Sequence, residues 1–229
     1  MAETDAMGIE LAGIKKSYGK KKVLENVSLK AKEGSCVGIL GGNGCGKSTL
    51  LSILAGVRRA DGGAFLYRGE DLLQKGSART GTVGYVPQGD TLIEELTAWD
   101  NLRLWYGKEV LKNELNGGVL ELLGISEFLK VTVRKMSGGM KKRLSIGCAV
   151  LGKPKILLLD EPSAALDLAC KDRIYEYFRQ YKKEGGVLLM TTHDMQDMEQ
   201  CEECHLLRGG VLSPYEYDGD MHRLAGCLE

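Results

Sequence analysis

Polar and apolar residues intermingle over residues 9–17 and 23–30, a pattern that predicts two strands joined by a turn at Tyr18, Gly19, Lys20, Lys21 and Lys22. The first uninterrupted apolar run follows at 36–40, short enough for one buried strand. Residues 49–55 then read as the opening of a helix that Gly56 closes. Asp61, Gly62 and Gly63 turn the chain into a strand at 64–67, and 83–86 predicts another that ends at Pro87 and Gln88. From 97 to 151 the period changes: Trp99, Leu102, Leu104 and Trp105, and later Val119, Leu122 and Leu123, fall near helical spacing. The period changes back at 155–161, where Ile156, Leu157, Leu158 and Leu159 suit a parallel strand buried on both faces. A helix over 172–183, stopped by Gly185 and Gly186, precedes a second buried strand at 187–192. A short helix at 196–202 and a hairpin at 206–212 complete the pattern.

Composition narrows the class of function. The 229 residues allow a sizeable core. Lys plus Arg and Asp plus Glu both number 31, and a net charge of zero argues against a protein whose main task is to grip nucleic acid. No apolar stretch approaches the length that spans a bilayer. The N-terminal MAETDAMGIEL has no basic segment ahead of an apolar one, so a signal peptide is not expected. The expected location is cytoplasmic, with the seven cysteines as free thiols.

The strongest chemical signal is GGNGCGKS at 41–48, a full match to G-x-x-x-x-G-K-[ST] between a predicted strand and a predicted helix. The glycines let successive backbone N–H groups turn inward on a polyphosphate, and the helix aims its positive end at the same place. Gly41, Gly42, Asn43, Gly44, Cys45, Gly46, Lys47, Ser48 and Thr49 are therefore the candidate nucleotide cradle. Lys47 would reach the β- and γ-phosphates, and the Ser48 hydroxyl would ligate Mg²⁺. A tight strand–helix turn is the plain alternative. The 155–161 strand ends in Asp160 and Glu161, at the carboxyl edge where open α/β sheets bind ligands. Asp160 is the candidate metal ligand and Glu161 the candidate base that polarises the attacking water.

At this point the chain resembles the nucleotide-binding subunits of ABC transporters over residues 9–212. Met136-Ser137-Gly138-Gly139-Met140 is similar to the family signature LSGGQ, and the remaining pieces stand in family order: Tyr18, the phosphate loop, Gln88, the signature, Asp160 with Glu161, Ser163-Ala164-Ala165-Leu166-Asp167, and His193. The resemblance implies an α/β P-loop NTPase fold, with a RecA-like core on a mainly parallel sheet, an N-terminal antiparallel β subdomain and an inserted α-helical subdomain. It implies one domain over 1–229, with core segments at 1–88 and 152–229 and the insertion at 89–151. It further implies that Tyr18 stacks on adenine and that Gln88 touches Mg²⁺ or the attacking water. His193 would contact the γ-phosphate, and Ser137, Gly138 and Gly139 would form an anion site used by a second ATPase subunit, identical or homologous. Asp167 would cross that interface. ATP and Mg²⁺ are the implied cofactors. The implied partner is a separate transmembrane permease at the inner face of the membrane, docked near Gln88 and 99–105.

Two departures matter. Met140 replaces the usual glutamine and Met136 the usual leucine, and SGGM signatures resemble those of drug and lipid exporters. Export is therefore the expected direction, with a soluble ATPase such as an iron–sulfur assembly subunit, or a non-hydrolytic nucleotide switch, as alternatives. Cys201-Glu202-Glu203-Cys204-His205 spells a haem-attachment pattern, but nothing directs the chain to the oxidising compartment that attachment requires. Ordinary thiols are the expected reading, with a zinc or redox role as the alternative. Cys45, beside Lys47 and a helix N-terminus, is expected to favour its thiolate, to be inhibited by alkylation and to be protected by ATP.

Overall fold

The computed structural model describes residues 7–74, 76–89, 91–164, 166–216 and 226. Ala165, one residue of the predicted Ser163 to Asp167 motif, and the first six residues lie outside that set. Two sheets organise the chain. Strands β1 (Met7–Tyr18), β2 (Lys21–Lys32), β4 (Gly62–Tyr67) and β5 (Glu70–Asp71) form an antiparallel sheet in the order β2-β1-β4-β5. The second holds β3 (Cys36–Leu40), β6 (Val83–Val86), β7 (Ile156–Asp160), β8 (Val187–Thr191), β9 (Glu203–Arg208) and β10 (Val211–Tyr215) in the order β10-β9-β3-β8-β7-β6. All its pairings are parallel except β9 with β10.

The apolar runs explain this second sheet. Every residue of β3, β7 and β8 is buried, as a parallel sheet covered on both faces requires. Successive side chains alternate between two cores. Val37, Ile39, Ile156, Leu158, Val187 and Leu189 face one core, with Leu50, Leu51, Ile53 and Leu54 and the antiparallel sheet. Cys36, Leu157, Leu159, Leu188 and Met190 face the other, with Ile174, Phe178, Leu144 and Ile146. One face thus carries helix α1 (Lys47–Leu54) and the other receives the helices that follow.

Between β6 and β7 the chain runs through α3 (Ala98–Arg103), α4 (Lys108–Leu115), α5 (Val119–Leu122) and α6 (Gly138–Val150), after the single turn α2 (Gly76–Arg79). Helix α7 (Leu168–Lys183) and the short α8 (Met195–Met198) complete the set. The predicted helix over 172–183 begins a turn earlier because Asp167 caps it, its carboxylate accepting the Cys170 N–H at 2.8 Å. The predicted helix over 196–202 is shorter, ending at Met198, and the hairpin is wider than 206–212 because β9 extends along β3. Strand β5 and helix α2 had no signal in the apolar pattern. The lysine-rich turn is tighter than expected: Tyr18 pairs with Lys21, leaving Gly19 at φ 58° as one of two turn residues.

Candidate active site

The phosphate loop leaves the carboxyl end of β3 and feeds α1. Gly41, Gly44 and Gly46 hold φ of 154°, 77° and 117°, the region that only glycine enters without strain. At Gly46, which begins α1, a Cβ would stand 2.9 Å from Val23 Cγ1. Lys47 is buried, and its Nζ donates to the carbonyls of Gly41 at 2.6 Å and Gly42 at 3.2 Å. The ammonium is thus held inside the loop it serves. Cys45 is half-buried and packs against the core beneath, its Sγ within 2.7 Å of where a Gly41 Cβ would lie.

The sheet order places two further strand ends beside that loop. Asp160 ends β7 and is buried; the Thr191 hydroxyl at the end of β8 donates to its Oδ1 at 2.5 Å. The same hydroxyl oxygen accepts the Glu161 N–H at 3.1 Å. Glu161 holds φ 49°, a left-handed conformation that a non-glycine residue adopts at a cost, and such positions gather at functional sites. Its carboxylate accepts a hydrogen bond from Gln88 Nε2 at 2.8 Å and stands 3.4 Å from His193 Nδ1. Gln88, Glu161, Lys47, Ser48, Thr49, Asn43, Gly44 and Gly46 line one cavity of about 220 Å³. A neighbouring cavity of about 490 Å³ holds Ser48, Thr49, Gln88, Asp160, Arg58 and Tyr85. Burial, with Asp160 adding to it, pushes the Tyr85 phenol up to about 12, so it stays protonated beneath that cavity.

Tyr18 ends β1 half in solvent, between Arg58, whose Nη1 donates to its hydroxyl at 3.1 Å, and Lys16, 5.6 Å from its ring centre. Ser137 caps α6, its hydroxyl accepting the Met140 N–H at 3.2 Å. Gly138 and Gly139 begin that helix, and Gly139 lies against Cys170 and Leu166, away from the phosphate-loop cavity. Asp167 stands exposed at the start of α7. Pairing of strands therefore unites Lys47, Ser48, Gln88, Asp160, Glu161 and His193, and leaves Ser137, Gly138, Gly139 and Asp167 apart from them. Two site residues had no sequence signal: Thr191, which ties both acids together, and Arg58, which holds Tyr18. The only hint of Thr191 was its place at a buried strand's end.

The family model described as ABC transporter matches residues 24–164, well over half of the chain. The chain belongs to the ABC transporter family. It is 35% identical over 211 residues to the linearmycin resistance ATP-binding protein LnrL of Bacillus subtilis (strain 168), an alignment covering 89% of this chain and 67% of that one. It is 34% identical over 209 residues to the Nod factor export ATP-binding protein I of Rhizobium sp. (strain N33), covering 89% and 69%. The chain thus spans about two thirds of the length of these relatives. Among solved structures, the ATP-binding subunit of an ABC transporter superposes with a TM-score of 0.81 at 26% identity, covering 96% of this chain and 94% of that one. A dimeric ATP-binding cassette in a post-hydrolysis state, bound to ADP and Pi, superposes with a TM-score of 0.79 at 27% identity, covering 93% and all of its own chain. This ABC ATPase therefore carries the P-loop NTPase fold and is the ATP-binding, ATP-hydrolysing component of a transport system. Among the described residues, no helix is long and apolar enough to cross a membrane.

Proposed function

We propose that this ABC ATPase binds MgATP, pairs with a second ATPase subunit around two nucleotides, and drives export through a separate transmembrane permease. The carrying observation is one cavity that sets Lys47 and Ser48 of the phosphate loop against Gln88 and Glu161. Glu161 acts as the general base, receiving the proton of the attacking water. Gln88 and His193 flank its carboxylate and orient it, and the family resemblance gives His193 the role of sensing the γ-phosphate. Lys47 neutralises the β- and γ-phosphates, the loop N–H groups cradle the chain of phosphates, and Tyr18 offers a face to adenine. Ser48, Gln88 and Asp160 line one cavity and present hydroxyl, amide and carboxylate oxygens, a hard donor set of the kind Mg²⁺ takes together with substrate phosphates. When bound, Mg²⁺ would neutralise charge developing on the transferred phosphoryl group.

The N-terminus of α6, with Ser137, Gly138 and Gly139, supplies the anion site for the nucleotide held by the second subunit, and Asp167 faces the same interface. Having these residues away from their own chain's cavity supports a shared site. Export is supported by the names of the relatives and by the Met140 signature. The permease surface is the cavity of about 270 Å³ beside Ile93, Leu104, Trp105 and Tyr106, with Trp105 72% exposed. The site then works at the cytoplasmic face of the membrane, and the chain acts as one ATPase domain with residues 89–151 as its helical insertion.

Glu161→Gln tests this reading. The variant is expected to lose roughly 10²–10⁴-fold in phosphate release, the range general-base catalysis supplies, while still binding ATP and eluting as a dimer with ATP and Mg²⁺. Turnover near that of the natural chain would refute the role of Glu161.

A further inference from the structure

The haem-like pattern at 201–205 has no part in the nucleotide site, yet the fold brings both of its thiols onto a third. Cys36 begins β3, at the opposite end of that strand from the phosphate loop. Its Sγ lies 3.3 Å from Cys201 Sγ, although 165 residues separate them. Cys204 joins them over Gly38, where a Cβ would stand 3.0 Å from Cys204 Sγ and 3.2 Å from Cys201 Sγ. Glycine at that position leaves the space the sulfurs occupy. The backbone around the pair is fixed. The Cys36 N–H donates to Glu202 Oε2 at 2.6 Å, its carbonyl accepts the Glu202 N–H at 3.0 Å, and Lys182 holds the other Glu202 carboxylate oxygen at 2.6 Å.

Two chemistries suit converging thiols. Among the described residues, no group of three or more His, Cys, Asp or Glu is arranged to hold a metal ion, whereas the two thiols are already in contact. A disulfide needs the 3.3 Å contact to close to about 2.05 Å. Cys36 is fully buried, whereas Cys201 and Cys204 are partly exposed and line a cavity of about 550 Å³ open to small molecules.

We propose that Cys36 and Cys201 form an oxidative modification site that closes to an intramolecular disulfide under hydrogen peroxide. Cys201 is reached from the cavity. Its sulfur attacks one peroxide oxygen, the O–O bond breaks, and Cys201 becomes a sulfenic acid with release of one water. The Cys36 sulfur then loses its proton and displaces the sulfenic oxygen, which leaves as a second water. Two electrons pass from the two thiols to one peroxide. Cys204 is the rival resolving thiol, and the 3.3 Å contact favours Cys36.

The surroundings set the conditions. At Cys201 the hydrogen bond with Cys204 lowers the thiol pKa, but the bond with Cys36 and burial outweigh it, so the group sits above the ordinary range. The bond with Cys201, and then burial, raise the Cys204 thiol as well. Little thiolate forms at neutral pH, so the bond accumulates under sustained exposure rather than a brief pulse. The link would sit at the far end of the strand pair that flanks the phosphate loop: β3 pairs with β9, and a Gly41 Cβ would lie 2.7 Å from the Leu207 carbonyl oxygen on β9.

The test uses the full chain, reduced, incubated with hydrogen peroxide, alkylated and digested without reductant for mass spectrometry. Expected are a cross-linked peptide pair joining Cys36 to Cys201 and a thermal midpoint raised by several degrees that dithiothreitol reverses. The link should persist in Cys204→Ser and vanish in Cys36→Ser. The peptide map of the natural chain decides even if Cys36→Ser does not fold. A dominant link between Cys201 and Cys204, sulfinic acid at Cys201 without any link, or Cys201 still fully alkylatable after treatment would each overturn the proposal.

Discussion

At the scale of single residues, the site depends on a threonine that no motif marks. The Thr191 hydroxyl donates to Asp160 and accepts the Glu161 N–H, so it ties together the two acids proposed as metal ligand and base. Replacing it with valine keeps the shape and removes the hydroxyl donor to the buried Asp160, a loss of about 1–3 kcal/mol, while the Glu161 N–H keeps the Thr191 backbone carbonyl as acceptor at 3.1 Å. Thr191→Val is expected to lower kcat about tenfold, the rate equivalent of 1.4 kcal/mol, with KM for ATP little changed; Thr191→Ser should restore most of it. Steady-state phosphate release across the three chains checks this, and a purely structural role would show instead as reduced stability with kcat intact. Lys47, Ser48, Asp160 and Glu161 were legible in the sequence because local pattern marks them: a glycine-rich loop after a strand, and acids at the end of an apolar run. Thr191 and Arg58 were not, because their partners lie 31 and 40 residues away.

At the scale of elements, caps and packed faces carry the stability. Asp167 caps α7, and the Cys170 N–H bond lowers its carboxyl pKa below the ordinary 3.8. The sign follows from linkage: a carboxylate with a depressed folded pKa stabilises above its unfolded value and loses that stabilisation as pH falls through the folded one. The gap in thermal midpoint between the natural chain and Asp167→Ala, without nucleotide, should hold at neutral pH and vanish as acid titrates the cap. A gap that survives full protonation would assign the effect to something other than the charged cap. Helix α7 also buries Phe178 completely against the sheet. Phe178→Ala is expected to cost about 3–5 kcal/mol in urea unfolding, with the m-value unchanged. The apolar run of each central strand announced its burial, but the start of α7 was misplaced by a turn because capping by Asp167 overrides the later apolar spacing.

At the scale of the whole molecule, the insertion between β6 and β7 presents the exposed apolar side chains that the proposed reading assigns to permease docking. Leu104 and Trp105 are 55% and 72% exposed, and their cavity shares Tyr85 and Thr91 with the one that holds Gln88. Trp105→Ala is expected to leave ATP hydrolysis by the isolated chain unchanged and stability within about 0.5 kcal/mol, as for other exposed positions. Its recovery with membrane partners in a pull-down from detergent extract should fall sharply. Undiminished recovery would place the docking surface elsewhere.

The sequence by itself determined the phosphate loop, the buried strands and the acids at a strand's end, all of which depend on neighbours along the chain. The phosphate loop works through consecutive N–H groups and glycine torsions, the strands declare burial by unbroken apolar runs, and the acids sit where a strand must end. The tertiary structure alone decided which distant groups meet. The order β9-β3-β8-β7-β6 sets Thr191 beside Asp160, Gln88 against Glu161 and Cys36 against Cys201. Strand order follows from packing two faces of one sheet at once, and no period in a linear sequence encodes that choice.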